Sequence, residues 1–154
     1  MKQMLFSFGY ALRGLAAGIQ KTRNLRVHLA AAAYCFALAP FFVHSRGGWV
    51  ALIVLCFVIF AAELFNTAIE TLCDRITTDF DRQIGLIKDL AAGAVFILAL
   101  GAVIVAGILF SDGAGWRRLL QFCQTQPWYP ALLAAALPAA ILFIRGRINK
   151  NPVT

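Results

Sequence analysis

The chain has 154 residues, 61% of them hydrophobic and only 14% charged, with a formal net charge of +7. A mean hydropathy of +0.78 and an apolar share well above the roughly 45–50% of soluble domains exclude a water-soluble globular fold, since a core of this size cannot hide so much apolar surface. The cations lie between apolar runs and form no nucleic-acid-binding patch, so anionic lipid headgroups are their expected partners. An all-α integral membrane protein is the fold these totals allow.

Residues 1–28 are expected to form an amphipathic surface helix. Phe6, Phe8, Tyr10, Leu12, Leu15 and Ile19 supply its apolar face, and Lys2, Arg13, Lys21, Arg23 and Arg26 its basic one. No compact apolar core precedes a small-residue site, so this segment is not a cleavable signal. A first span is expected over about 29–43, begun a turn inside the preceding helix because the run is short of the roughly 20 residues a span needs. After a brief turn at 44–48, a second span over about 49–72 opens at Trp49, an aromatic marker of the interface.

Residues 74–88 read as a polar loop and 90–110 as a third span, with Asp89 as the first-turn acid that complements the helix dipole. Residues 112–127 read as a polar connection. A fourth span is expected over 128–144, flanked by Trp128 and Tyr129 on one side and Arg145, Arg147 and Lys150 on the other; residues 149–154 read as a frayed tail. Cys35, Cys56, Cys73 and Cys123 show no paired spacing and are expected to serve as small hydrophobes. Lysines and arginines number five in the N-terminal segment, three in the acidic loop and three in the C-terminal tail, against one and two in the alternate loops. The positive-inside rule then puts both termini and the acidic loop in the cytoplasm.

Six of the seven acids, namely Glu63, Glu70, Asp74, Asp79, Asp81 and Asp89, fall within residues 61–99; Asp112 stands apart. Glu63 and Asn66 continue an apolar run that enters the bilayer, where polar groups are costly unless used. At helical spacing Glu63, Asn66, Glu70 and Asp74 share an arc of roughly 80°. Three carboxylates and an amide on one face at a membrane surface suit a cation and a phosphate.

No Walker-type loop, dinucleotide fingerprint, nucleophile elbow or HExxH motif is present. His28 and His44 lack zinc spacing, and His28 is expected to be an interfacial polar residue. Phosphoryl transfer needs a metal for the phosphate oxygens, a cation at the nucleotide and a group for the acceptor hydroxyl. Glu70 suits magnesium, which takes one or two carboxylates plus phosphates. Glu63 lies deeper, where a poorly hydrated carboxylate becomes a stronger proton acceptor toward a lipid hydroxyl. Lys88 can meet a phosphate as a point charge. From the residues alone, a transporter or a structural ion pair stays open beside catalysis; against a transporter, the third and fourth runs carry no charge beyond Asp89.

Two blocks narrow the choice. Glu63-Leu-Phe-Asn66-Thr-Ala-Ile-Glu70 followed by Asp74 fits E-x-x-N-S/T-A-I-E-x-x-x-D, and Lys88-Asp89 followed by Leu-Ala-Ala-Gly-Ala-Val forms the second. Ser7-Phe8, Tyr10-Ala11, Gly14 and Arg23-Asn24-Leu25-Arg26-Val27-His28 precede them. Through these blocks the sequence resembles the prokaryotic diacylglycerol kinase family, which includes undecaprenol kinases, over residues 7–99 without a gap.

The resemblance implies an ATP- and magnesium-dependent lipid kinase that moves the γ-phosphoryl group to a membrane-lipid hydroxyl. Diacylglycerol, giving phosphatidic acid, is the first acceptor and undecaprenol the alternative, toward which the Arg23 to His28 block leans. It implies Glu63 as proton acceptor with Asn66 orienting groups beside it, Glu70 as magnesium ligand, and Tyr10, Glu70, Asp79, Phe80, Asp81, Lys88 and Asp89 at ATP. Glu63 and Ala92 would touch the lipid. It also implies a bacterial plasma-membrane homotrimer, each subunit with a surface helix and three transmembrane helices, and active sites between subunits. Residues 1–111 would be the family unit and 112–154 an addition with an extra span.

One position departs. The family carries a glutamate just before Arg-Asn as a second magnesium ligand, and here Thr22 stands there. A neutral hydroxyl in its place leaves a family member with impaired or lost kinase activity as a further alternative.

Overall fold

In lipid every backbone amide must find a partner within the chain, and long apolar runs do so as helices. A computed structural model describes residues 2–146, which form six helices and no strand. They are α1 (Lys2–Lys21), α2 (Arg23–Phe42), α3 (Arg46–Ile76), α4 (Arg82–Phe110), α5 (Gly113–Thr125) and α6 (Trp128–Arg145). Among these, α2, α3, α4 and α6 are long and apolar enough to cross a membrane, as the all-α membrane reading requires. Arg147, Lys150 and the tail at 149–154 lie outside the described residues.

The surface helix is shorter than expected. It ends at Lys21, Thr22 takes an extended conformation, and Arg23 to His28 open α2 instead. Two contacts fix this break. The buried Arg26 side chain turns back, its Nη1 donating to the Ile19 and Gln20 carbonyls that α1 leaves free at its end. Thr22 bonds sideways, 2.9 Å from the Thr67 hydroxyl on α3. Beyond that junction α1 leaves Phe6, Phe8, Tyr10 and Leu12 exposed, as a helix lying in a headgroup layer does. Gly18 is the point of closest approach, because a Cβ there would run into the Leu64 side chain of α3.

The second and third spans are longer than their apolar runs. Ser45 caps α3 by accepting from the Gly48 amide at 3.0 Å. Asp81, not Asp89, opens α4: its Oδ1 accepts from the Gln83 and Ile84 amides at 2.7 and 3.1 Å. The capped start lets Arg82 to Lys88, read as loop, continue the helix, and Asp89 falls two turns inside it. α3 and α4 lie side by side in the most extensive interhelical contact.

Residues 113–125 are helical as well, correcting the polar connection expected there. Asp112 caps α5 through the Ala114 and Gly115 amides and also binds Arg118 Nη2 at 2.9 Å. The Ala114 amide, with Arg118 and the Gly115 amide assisting, holds the Asp112 carboxyl below its usual range. Arg118 Nε donates to the Phe41 carbonyl at the end of α2. Leu119 is buried there, in a core with Ala39, Phe42, Val43 and Leu52. Around it Phe42 meets Phe110 and Trp116, and Phe41 meets Phe122 and Tyr129, all edge-on or tilted at 5.0–5.7 Å. The fourth span forms as expected and packs on α2, where Tyr129 donates to the Ala37 carbonyl at 2.6 Å and Tyr34 to Leu133 at 3.2 Å.

Candidate active site

The site begins with the length of α3. Its 31 residues extend about 46 Å, against a hydrocarbon core of about 30 Å. Along that axis Glu63 lies about 21 Å and Glu70 about 32 Å from Trp49, so the two carboxylates are about two turns apart on one helix. The helical arc of the sequence survives in space: Asn66 Nδ2 donates to Glu70 Oε1 at 2.9 Å. Glu63 is 1% exposed and Asn66 5%.

Burial is not matched by full pairing. Glu63 Oε2 and Asn66 Oδ1 are buried with no hydrogen-bond partner. Such atoms are costly in a protein interior, and two of them side by side on one helix mark a place built for a guest. Glu63 Oε1 does have a neighbour, His28 Nε2 of α2, at 3.4 Å. Nothing in the sequence joins these two residues, because helix packing alone brings them together. His28, expected as an interfacial polar residue, turns its ring toward the central carboxylate.

Thr67 ties the site to the junction of α1 and α2. Its single hydroxyl proton goes to the Glu63 carbonyl at 2.8 Å, so in the bond between the two threonines Thr22 is the donor. The position where a carboxylate was expected thus holds a hydroxyl already engaged with protein.

The nucleotide candidates divide into two groups. Lys88 ion-pairs with Asp74 across the α3 and α4 interface, and its ammonium also feels the Glu70 carboxylate. That brings Lys88 to the Glu63, Asn66 and Glu70 face. Phe80, Asp81 and Asp89 instead line an open concavity of about 830 Å³ on another side of α4, together with Arg82, Gln83 and Leu86. Phe80 is 98% exposed, and Asp79 sits in the turn before it, its amide donating to Thr77 Oγ1. Tyr10 is exposed on α1 with Arg13 stacked 4.7 Å from its ring centre. Ala92 is exposed on α4 one turn past Lys88.

A cleft of about 580 Å³ opens between α1 and α3, walled by Gly14, Leu15, Gly18, Leu64 and Ala68, with Lys21 and Arg75 among its lining residues. Small side chains on α1 leave this room beside Thr67.

Magnesium fits the oxygen set without a preformed cage. Among the described residues no group of three or more histidine, cysteine, aspartate or glutamate side chains clusters as a metal site. Asn66 Oδ1 is a free hard donor, and Glu70 next to it keeps one oxygen beyond its bond to Asn66. One carboxylate and one amide oxygen suit an ion that brings its remaining ligands as nucleotide phosphates and water.

The chain is similar to known proteins over these helices. The family model described as prokaryotic diacylglycerol kinase matches residues 9–110. A diacylglycerol kinase of Synechocystis sp. is 35% identical over 69% of this chain and 61% of its own, so the chain spans less than two thirds of that relative. An undecaprenol kinase of Bacillus subtilis is 36% identical over 68% of this chain and 85% of its own. A diacylglycerol kinase of Haemophilus influenzae is 29% identical over 71% and 94%. No solved structure matches. The match takes in most of α1, all of α2, α3 and α4 and the turn between α3 and α4, which together supply every site residue above, and the chain belongs to the prokaryotic diacylglycerol kinase family.

Proposed function

We propose that the protein is an ATP- and magnesium-dependent lipid kinase that transfers the γ-phosphoryl group of ATP to the hydroxyl of a membrane lipid. The observation that carries this reading is the unpartnered Glu63 Oε2, buried on a helix long and apolar enough to cross a membrane, beside an unpartnered Asn66 Oδ1 and two turns from Glu70. The acceptor hydroxyl gives its proton to Glu63 Oε2 as its oxygen bonds to the γ-phosphorus. The bond from that phosphorus to the oxygen bridging the β-phosphate breaks, and ADP leaves. Glu70 and Asn66 Oδ1 would hold the magnesium, which when bound neutralises charge on the phosphate oxygens. Lys88, released from Asp74, meets the nucleotide phosphates. Positioning and charge compensation supply the catalysis, without a phosphoenzyme.

We further propose that the protein works as a homotrimer in a bacterial plasma membrane, with its sites between subunits on the cytoplasmic side. The distribution of Lys and Arg supports the orientation. Within one chain Phe80, Asp81 and Asp89 line a concavity that includes none of Glu63, Asn66 and Glu70, and Tyr10 is exposed on α1. A neighbouring subunit supplies the way for both groups to meet one nucleotide. Ala92, one turn past Lys88, would touch the lipid.

Diacylglycerol is the acceptor of this reading. Undecaprenol is the second one, prompted by the Arg23 to His28 block and by the undecaprenol kinase of Bacillus subtilis among the relatives. Thr22 motivates a third, a family member that has lost turnover, since its hydroxyl is bonded to Thr67.

The test is transfer from labelled ATP with magnesium in mixed micelles, diacylglycerol and undecaprenol offered separately. Wild type is expected to label one of them, and Glu63→Gln to lower kcat by about 10²–10⁴ as removal of a general base does. Higher turnover in Thr22→Glu would show that the lost carboxylate limits the metal. Transfer to neither lipid by wild type or Thr22→Glu, with the proteins folded, would sink the kinase reading for these acceptors.

A further inference from the structure

Resting on the kinase reading, we propose that His28 is a positioning residue for Glu63: it holds one carboxylate oxygen so that the other faces the acceptor hydroxyl. The two oxygens are unlike. Oε1 lies 3.4 Å from His28 Nε2, and Oε2 is buried with no partner. Among the described residues no other hydrogen bond or ion pair reaches the carboxylate. With one oxygen beside His28 and the other free, the carboxylate plane is fixed, because turning out of that plane loses its polar neighbour in a low-dielectric setting, where such a loss is costly.

The surroundings make His28 the sole candidate for this task. Glu70, the nearest acid on the same helix, is engaged with Asn66. Thr67 is bonded to the Glu63 backbone carbonyl, not its side chain. On the membrane side His28 borders a small cavity of about 80 Å³ lined by Ala32, Cys35, Leu52, Cys56 and Ile59. The cavity's lining is almost wholly apolar, so it offers a water few of the polar partners that would hold it beside Oε1. The 3.4 Å separation is long for a hydrogen bond, as catalytic contacts often are before substrate binds. His28 is 23% exposed at its side chain, so the ring is seated and has room to close the gap.

In the transfer step the acceptor proton goes to Oε2, and His28 neither gains nor loses one. Its N–H keeps the carboxylate plane fixed while the bond to phosphorus forms. Removing it misplaces the base without removing it. Misplacement by about 1 Å costs around a hundredfold in rate, and the loss is expected in kcat, because the role proposed for His28 is to aim the base and not to bind either substrate.

The experiment compares wild type, His28→Leu, His28→Asn, His28→Gln, Glu63→Gln and the double variant of Glu63→Gln with His28→Leu, in mixed micelles with magnesium, ATP and whichever lipid wild type phosphorylates. His28→Leu and the shorter amide of His28→Asn are expected to lower kcat by roughly ten- to a hundredfold with KM for ATP and lipid unchanged. His28→Gln, whose amide reaches the same oxygen, is expected to recover most of the rate. The double variant should be no slower than Glu63→Gln alone. Independently of turnover, the infrared carboxyl band identified by its disappearance in Glu63→Gln should move in His28→Leu and His28→Asn. Wild-type kcat in both of those variants, or an unmoved band, overturns the positioning role and leaves the kinase reading intact. Equal loss in His28→Gln and His28→Asn overturns it too, as does a further loss in the double variant. A wild type that transfers no phosphate to any lipid overturns the kinase reading itself.

Discussion

At the scale of single residues, what separates working groups from supporting ones is whether their polar atoms are spent. Asp81 and Asp112 are spent on helix caps, whereas Arg26 closes the end of α1 through Nη1 and leaves its buried Nε without a partner. Lys88 and Asp74 face each other across α3 and α4, yet their side chains are 36% and 65% exposed. Exposed pairs contribute little to stability because water screens them. Lys88→Met is therefore expected to leave the thermal midpoint in micelles unchanged while KM for ATP rises several-fold. A fall in midpoint with unchanged KM would mean the pair is structural and Lys88 does not meet ATP. The arc of Glu63, Asn66, Glu70 and Asp74 was legible in the sequence because all four lie on one helix and the helical period places them. His28 was not, since it reaches Glu63 from another helix. Thr22 was legible as a departure, but its bond to Thr67 was not, for the same reason.

At the scale of elements, the spans were legible from apolar runs, whereas their ends were set by contacts that hydropathy does not record. Asp81 moved the start of α4 outward by capping it, and Arg26 with Thr22 split the surface helix from the first span. Residues 113–125 read as loop because glycines and arginines dilute their hydropathy. What makes them helical is the fit of Gly115, Leu119 and Phe122 against the end of α2, where a Cβ on Gly115 would strike the Phe42 ring. The same logic governs α1. Gly18 lets it approach α3 at Leu64, within two turns of the Thr67 and Glu63 backbone. A methyl at position 18 meets the flexible end of Leu64, which can turn aside, and presses more lightly on the tip of the buried Leu25. A leucine there has no such escape, and overpacking of a close contact costs about 1–3 kcal/mol. Gly18→Leu is thus expected to lever the end of α1 away and reduce lipid turnover, with Gly18→Ala near wild type. Proteolysis in micelles would report the released helix; equal resistance in both variants would contradict this account of the junction.

At the scale of the whole molecule, two ends do different things. The family match stops at residue 110, where α4 stops, and the site residues all lie before it. α5 and α6 pack on α2 and on each other, closing over Phe41 and Phe42 at the end of α2 away from His28. The distance along α2 from His28 to Phe42 is about 21 Å, and the aromatic core between α2, α5 and α6 contains none of the site's polar groups. Sequence alone separated this addition from the family unit but not its target, because the bonds of Tyr129 to Ala37 and Arg118 to Phe41 join residues far apart in the chain. If the addition only braces α2, a chain ended after Ser111 should keep the kcat of the full chain. Its midpoint of thermal unfolding in micelles should fall, since the aromatic end of α2 loses its cover and the Ala37 and Phe41 carbonyls lose their extra donors. Tyr129→Phe is expected to show the same effect in small, losing a hydrogen bond worth about 0.6–1 kcal/mol in a membrane setting. If instead the shortened chain stays folded as an oligomer but loses turnover, the brace transmits to the site through α2, and His28, on the same helix, is where that coupling enters.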